Sequence, residues 1–217
     1  MNGTIKTLFR LLFRLEAHQL RHVPENGPGI LLSNHVSNLE GPLYYVFLRP
    51  RKITGIGKIE LWQNPVTRFF MNTWKLIPLH RGSVDAEAMR RTFRALDQGY
   101  FVGIAAEGTR SRTGELQRGR PGATLVATRA DVPVIPIAQW GLHDMGRYIK
   151  RFHRPPATVR VGRPFYLHKP GGGTIGRSER TQMVDEMMYQ IAVLLPPEYR
   201  GAYADLERMT TDYISYV

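Results

Sequence analysis

The chain has 217 residues, 42% of them hydrophobic, which is enough for one globular domain with a substantial core. It contains no cysteine, so disulfides, thiolate metal sites and a covalent cysteine nucleophile are excluded. Its 30 lysines and arginines exceed its 18 aspartates and glutamates, and the formal net charge of +12 favours an anionic partner such as nucleic acid, an anionic membrane surface or a phosphate-bearing substrate.

The first predicted element is an amphipathic helix over residues 4–21. Its apolar residues recur at helical spacing with basic side chains beside them, a pattern typical of a helix that lies in a membrane interface. A helix docked on the protein core, with solvated arginines, is the alternative. No stretch approaches roughly 18 consecutive apolar residues, so no transmembrane helix is predicted. We therefore expect a membrane-associating helix within residues 1–24 and a separate folded domain over residues 25–217.

The next apolar run, Gly29-Ile30-Leu31-Leu32, predicts a short buried strand that leads to His35. Pro42 then opens a second apolar run and is well placed in the first turn of a helix. His35 should thus lie in the loop between strand and helix, with Glu40 near the helix start. Since five residues along a regular helix would place the two side chains about 140° apart, only a turn between them lets the imidazole meet the carboxylate.

A histidine that is oriented by a carboxylate has the chemistry of a general base. No serine or cysteine nucleophile is indicated nearby, so the substrate would bring the hydroxyl that His35 deprotonates. Glu40 would hold the ring and stabilise the imidazolium that forms. On this pair alone, two surface side chains that happen to be five residues apart are the alternative interpretation.

The remaining chain alternates between predicted strands and helices. The strands cover residues 52–58, 76–82, 100–106, 132–140 and 158–166, and the helices cover residues 60–74, 83–98, 121–130 and a methionine-rich stretch capped by Ser178. The strand over 100–106 is apolar throughout and should be buried on both faces, whereas two prolines favour a sheet edge or a bulge for the strand over 132–140. This order predicts a single α/β domain in which helices flank a mixed, mostly parallel sheet.

A second group of functional residues follows the strand over 100–106. Glu107, Gly108, Thr109 and Arg110 come at its carboxyl end, where open α/β sheets place their ligands. Gly108 lets the backbone approach a ligand closely, and Arg110 offers forked donors that suit a phosphate. Glu107 can accept a hydrogen bond from a substrate hydroxyl. A charged surface turn is the alternative.

Four sequence blocks occur in order over roughly residues 25–140. They read Asn34-His35-x-Ser37-x-x-Glu40-x-Pro42, then Lys58 to Leu61 continuing to residues 77–82, then Glu107-Gly108-Thr109-Arg110-Ser111, and last Val132-Pro133-Val134-Ile135-Pro136. In this order they resemble the blocks of the glycerophosphate acyltransferase family, most closely its 1-acylglycerol-3-phosphate O-acyltransferases. Glu40 departs from the aspartate of that family. The extra methylene moves the carboxylate outward by about 1.5 Å unless the loop compensates, and such a misplacement can cost about 10²-fold in rate.

The resemblance implies an enzyme that moves a fatty acyl group from acyl-CoA or acyl carrier protein to the free hydroxyl of 1-acylglycerol-3-phosphate, without a metal, a cofactor or an acyl-enzyme. In it His35 and Glu40 are catalytic, and Glu107, Gly108, Thr109 and Arg110 bind the glycerol phosphate. Lys58 and Arg81 would be further phosphate contacts.

The resemblance also implies a peripheral or monotopic protein on the cytoplasmic face of an anionic membrane. Nucleic acid is not an expected partner, because the basic residues form no recognisable DNA- or RNA-binding motif. Two other functions stay open: an acyltransferase for another lysolipid or hydroxylated lipid, and a membrane- or lipid-binding module without catalytic activity.

Overall fold

Six α-helices and nine β-strands make up the part of the chain that the computed structural model describes, residues 2–80, 82, 85–143, 148 and 153–217. The helices are α1 (Asn2–Leu12), α2 (Glu40–Phe47), α3 (Pro65–Thr73), α4 (Ala86–Asp97), α5 (Gly122–Ala130) and α6 (Arg177–Ala192). The strands are β1 (Arg14–Glu16), β2 (Gly29–Ser33), β3 (Ile53–Lys58), β4 (Ile77–Leu79), β5 (Phe101–Ala105), β6 (Val134–Trp140), β7 (Pro156–Val161), β8 (Phe165–Leu167) and β9 (Ile214–Tyr216).

The strands form one sheet in the order β1-β7-β6-β2-β5-β3-β4, and β8 pairs with β6 and with β9. Strand β2 runs parallel to β5 and β6, β3 runs parallel to β4 and β5, and β1 runs parallel to β7. The pairings of β6 with β7 and β8, and of β8 with β9, are antiparallel. The predicted α/β class with a mixed, mostly parallel sheet is confirmed.

Strand β2 is buried along its whole length because side chains pack on both faces of the sheet. Ile30 and Leu32 belong to a hydrophobic cluster that includes residues of α4, α5 and α6, whereas Leu31 belongs to a second cluster with residues of α1 and α2. This alternation follows the two-residue period of a strand. Met183, Met187 and Met188 of α6 are fully buried in the first cluster, so they pack the core and do not form a surface for a ligand.

The N-terminal helix is shorter than predicted. It ends at Leu12, after which residues 14–16 pair with β7 and His18–His22 form a 3-10 helix. The backbone N–H of Arg14 donates to the carbonyl of Pro155, so a long-range strand pairing replaces the continuation of the helix. Within the described ranges, no helix has both the length and the hydrophobicity needed to cross a membrane. The membrane association of residues 1–24 stays a prediction.

The placement of β6 at an edge or a bulge was wrong. This strand lies inside the sheet, between β7 and β2. The carbonyl of Pro136 accepts from Gly162, which lies in the gap between the end of β7 and the start of β8. Because the N–H and the carbonyl of one strand residue point to the same side, the N–H that proline lacks would also face this gap. The strand therefore tolerates the proline without losing a ladder hydrogen bond.

Other boundaries differ for local reasons. The helix predicted over 60–74 is interrupted, because the side chain of Asn64 accepts from the N–H groups of Val66 and Thr67 and caps a new helix. The strand predicted over 158–166 splits into β7 and β8, and α6 is capped at Gly176 rather than at Ser178. Asp85 caps α4; the predicted start of that helix, Ser83, lies outside the described residues.

Candidate active site

The loop between β2 and α2 brings His35 and Glu40 into contact. The His35 Nδ1 atom lies 2.5 Å from Glu40 Oε2, and the second oxygen of Glu40 accepts from the backbone N–H groups of Val36, at 2.6 Å, and Ser37, at 2.5 Å. A carboxylate accepts only, so the ring presents a protonated Nδ1 to it and Nε2 is the basic nitrogen. The His35 side chain is 26% exposed and that of Glu40 only 7%. The predicted turn therefore forms, and glutamate reaches the ring in place of aspartate.

Glu107 holds the backbone of the same loop. Strands β2 and β5 are parallel neighbours with Ser33 opposite Ala105, so the segments that follow them emerge at one edge of the sheet. One oxygen of Glu107 accepts from the backbone N–H of His35 at 2.6 Å, and the other accepts from the backbone N–H of Gln117 at 2.9 Å. The backbone N–H of Ser111 donates to the His35 carbonyl at 2.7 Å. The His35 peptide is thus tied to the Glu107 segment from both sides.

This placement changes the role expected for Glu107. The residue is 1% exposed, and both of its oxygens accept hydrogen bonds from the protein instead of facing solvent. Burial raises the pKa of Glu107 to about 7, although the hydrogen bonds from Gln117 and His35 act in the opposite direction. Its position is that of a residue that orients the loop rather than one that contacts a substrate hydroxyl.

The glycine and the arginines beside Glu107 make an open, cationic surface. Gly108 has a positive φ of 68°, and a β-carbon there would lie 2.8 Å from Cδ of Arg120. Arg110 and Arg120 are exposed, and Thr109 is partly exposed. The backbone N–H of Arg120 donates to the carbonyl of Ala106 at 2.8 Å, so this arginine returns to the end of β5. The sequence analysis did not select Arg120 as a site residue. The basic segment Arg118-Gly119-Arg120 is the signal that could have indicated it.

A buried pair of carboxamides, Asn34 and Gln139, anchors the other side of the loop. Asn34 Nδ2 donates to the Gln139 carbonyl at 2.7 Å, the Gln139 N–H donates to Asn34 Oδ1 at 2.9 Å, and Gln139 Nε2 donates to the Asn34 carbonyl at 3.0 Å. Neither residue is exposed. Sequence analysis missed Gln139, whose only signal is a polar residue at the end of an apolar strand.

Two predicted phosphate contacts remain, Lys58 and Arg81, and only Lys58 lies within the described chain. Lys58 is exposed at the carboxyl end of β3, the strand beside β5, so it shares the sheet edge with Glu107. Arg81 lies outside the described residues. Binding of a substrate by either residue stays a prediction.

A second histidine, His80, contacts a carboxylate five residues later, a pattern that sequence analysis did not notice. His80 Nδ1 lies 2.9 Å from Asp85 Oδ2, and the backbone N–H groups of His80 and Ala88 also donate to this carboxylate. These hydrogen bonds hold the pKa of Asp85 well below its usual value. The His80 side chain is 68% exposed, and the cap that Asp85 provides for α4 accounts for the pair.

Comparison with known proteins gives several matches. The family model described as Acyltransferase matches residues 14–140. The 1-acyl-sn-glycerol-3-phosphate acyltransferase of Pseudomonas aeruginosa is 26% identical over 189 residues, 85% of this chain and 71% of that protein. The enzyme of the same name from Bacillus subtilis is 23% identical over 188 residues, 87% of this chain and 91% of that protein.

The fold also matches a solved structure, that of the 1-acyl-sn-glycerophosphate (LPA) acyltransferase PlsC from Thermotoga maritima. The two share 20% sequence identity with a TM-score of 0.66, over 96% of this chain and 79% of the other. At this identity the likeness concerns the architecture alone, and it agrees with the sheet and helices described above.

Proposed function

Since the chain belongs to the Acyltransferase family, as its four sequence blocks predicted, we propose that it transfers a fatty acyl group to the free hydroxyl of 1-acylglycerol-3-phosphate. The proposed donor is a thioester, acyl-CoA or acyl carrier protein. The observation that carries the proposal is the contact of His35 Nδ1 with the buried Glu40 carboxylate, which leaves the other ring nitrogen as the base.

The proposed reaction needs one base. His35 Nε2 takes the proton of the lipid hydroxyl as its oxygen attacks the thioester carbonyl carbon, and a tetrahedral oxyanion forms. The carbon–sulfur bond then breaks, and the imidazolium returns the proton to the leaving thiolate. Glu40 keeps Nδ1 protonated and stabilises the imidazolium between the two steps. No acyl-enzyme, metal or cofactor takes part in this proposal.

The proposed oxyanion donors are backbone N–H groups in the first turn of α2. The N–H groups of Val36 and Ser37 donate to Glu40, and that of Leu39 to the side chain of Ser37, so these three serve the loop itself. The first turn of α2 begins at Glu40, and Gly41 is exposed there without a side chain to shield its backbone. Helix N-termini favour negative charge.

The acceptor phosphate is proposed to bind the cationic surface beside Glu107. Arg110 is exposed next to the turn at Gly108, and its guanidinium can donate two hydrogen bonds to a phosphate. Thr109, Lys58 and Arg81 remain the other candidate contacts. Glu107 keeps its place in the site as a positioning residue that fixes the peptide of His35.

A peripheral or monotopic place on the cytoplasmic face of a membrane is the proposed location. Helix α1 supports it, because Leu8 and Leu11 are exposed while Phe9, on its other side, and Phe13, just after its end, are buried. Arg10 of the same helix is exposed, and basic residues near an anionic leaflet contribute about 1 kcal/mol each.

The test is acyl transfer by the purified protein, measured as release of free thiol and as labelled product. Acyl-CoA and acyl carrier protein donors are each offered with 1-acylglycerol-3-phosphate and with other lysolipids. We expect His35→Ala to lower turnover by at least about 10³-fold, since it removes the base. The matched control is His80→Ala, which removes a second carboxylate-bound histidine and should keep more than roughly half of the activity.

Each other outcome has a defined meaning. Equal loss in both variants, or loss in His80→Ala alone, would contradict the assignment of His35. Transfer only to another lysolipid would keep the mechanism and change the acceptor. A folded wild type that transfers to no acceptor would support a lipid-binding module without catalytic activity.

A further inference from the structure

Helix α3 leaves apolar side chains in water. Val66 is 65% exposed and Phe69 is 58% exposed, and their spacing of three residues places them on one side of the helix. None of the residues of α3 is buried. Phe69 packs edge-on against the partly exposed Phe70, with ring centroids 5.5 Å apart, so the two rings form a small continuous surface. Clustered exposure of large apolar residues marks an interaction site.

The segment that contains α3, like the one that contains α1, has basic residues and no acidic ones. Residues 61–84 contain no aspartate or glutamate, and Arg68 and Lys75 are exposed among them. Residues 1–15 also contain no acidic residue and include Arg10. Each of these two acid-free segments contains a helix that exposes at least two large apolar side chains. This combination fits an anionic lipid surface, which attracts cations and accepts apolar side chains.

The two helices lie on either side of α2. Phe9 of α1 packs against Phe47 of α2 with ring centroids 6.1 Å apart, and Trp74 at the end of α3 packs against Tyr45 of α2 at 5.5 Å. Tyr45 and Phe47 are two residues apart and therefore point about 160° away from each other around the helix axis. Helix α2 begins at Glu40, so its first turn belongs to the site.

We propose that α3 is a second membrane contact, in which Val66 and Phe69 enter the same anionic bilayer as Leu8 and Leu11 of α1. Helix α2 and the dyad at its start then sit between two lipid contacts. A lipid acceptor would reach the site without leaving the bilayer. The inference rests on the proposed membrane association of α1 but not on the acyl-transfer chemistry.

The experiment compares binding of four variants to vesicles of phosphatidylcholine with phosphatidylglycerol and to vesicles of phosphatidylcholine alone. Val66→Ser/Phe69→Ser should weaken binding to the anionic vesicles about tenfold, and Leu8→Ser/Leu11→Ser by a similar factor, because each pair removes buried apolar area. The combined variant should lose about a hundredfold if both helices enter one bilayer. The matched control, Leu125→Ser/Val193→Ser, removes an exposed apolar residue of α5 and another that directly follows α6, and it should bind as the wild type does.

A second measurement does not depend on whether the serine variants fold. Because the chain has no cysteine, Phe69→Cys and the control Leu125→Cys can each be labelled at one place with an environment-sensitive fluorophore. Addition of anionic vesicles should raise the emission of the label at position 69 and leave that at position 125 unchanged. A label at position 69 that does not respond would overturn the proposal, as would unchanged vesicle binding by Val66→Ser/Phe69→Ser.

Two further outcomes also count against it. If light scattering shows that the wild type is a dimer and that Val66→Ser/Phe69→Ser dissociates it without changing vesicle binding, the surface is an interface between copies. Equal binding to both vesicle types would show that the lipid charge does not contribute to binding, which contradicts the proposed anionic partner. Measurements of activity separate this inference from the proposed function. Val66→Ser/Phe69→Ser should turn over a short-chain soluble acceptor normally. A wild type that is inactive on every acceptor would refute the proposed function but would not affect the vesicle-binding results.

Discussion

The two oxygens of Glu40 hold three groups, and this decides what a substitution there does. One oxygen faces the His35 ring and the other accepts from the N–H groups of Val36 and Ser37. Glu40→Gln keeps the size but replaces the charge with a neutral amide, which cannot stabilise an imidazolium. We expect turnover to fall about 10³-fold. Glu40→Asp keeps the charge and should remain within about tenfold of the wild type, because the loop can follow the shorter side chain.

Steady-state thiol release with a saturating donor measures both effects. The circular dichroism spectrum serves as the folding control, since Glu40 also closes the loop. Normal turnover by Glu40→Gln would mean that the dyad is not the catalytic base system.

Glu107 makes the stability of the protein depend on pH. Burial raises its pKa from the ordinary value of 4.5 to about 7, so the folded protein binds this proton more tightly than the unfolded chain does. The resulting stabilisation is complete below pH 4.5 and is lost as the pH rises through about 7. Its size is about 3 kcal/mol, from the difference between the two pKa values.

Glu107→Gln resembles the protonated residue and should lack this dependence. Between pH 4.5 and 7 the unfolding free energy of Glu107→Gln minus that of the wild type should increase by about 3 kcal/mol and then level off. Urea unfolding at a series of pH values measures the difference, and a difference that stays flat over this range would contradict the raised pKa.

At the scale of elements, the sequence predicted the strands and helices that a local residue pattern determines. The apolar run before His35 and the proline after Glu40 define a strand, a loop and a helix, and the structure has all three. Strand β5 was predicted from its continuous apolar residues, and parallel pairing of β2 with β5 then places Glu107 beside the His35 loop. The site could be predicted because its parts lie at the ends of strongly patterned elements.

The elements that were missed depend on partners far along the chain. Strand β1 has only three residues and exists because β7 pairs with it, and no local pattern distinguishes it from the end of a helix. The bonds between Asn34 and Gln139 join residues 105 positions apart. The prolines suggested an edge for β6, since the gap between β7 and β8 that accommodates Pro136 is visible only in the assembled sheet.

At the scale of the whole molecule, α1 joins the hydrophobic core and the outer surface. The sequence left open whether this helix docks on the core or lies in a membrane interface. Phe9 and Phe13 are buried in the cluster that includes Leu43 of α2, while Leu8 and Leu11 are exposed on the other side. The helix therefore docks on the core and leaves an apolar face exposed, and core packing determines how that face is oriented relative to the dyad. Contact of this face with a membrane stays a prediction.

This arrangement predicts opposite consequences for neighbouring side chains of α1 and of the turn that follows it. Phe13→Ala should lower the unfolding free energy by about 3–4 kcal/mol, because it empties a site that is 1% exposed. Leu11→Ala, at a residue 65% exposed, should change it by no more than about 0.5 kcal/mol and should instead weaken binding to anionic vesicles. Urea unfolding followed by tryptophan fluorescence gives the first quantity, and vesicle co-sedimentation gives the second. If Phe13→Ala were as stable as Leu11→Ala, α1 would be detached from the domain in solution, and the docked position of the helix beside α2 would have to be assigned to the membrane-bound protein alone.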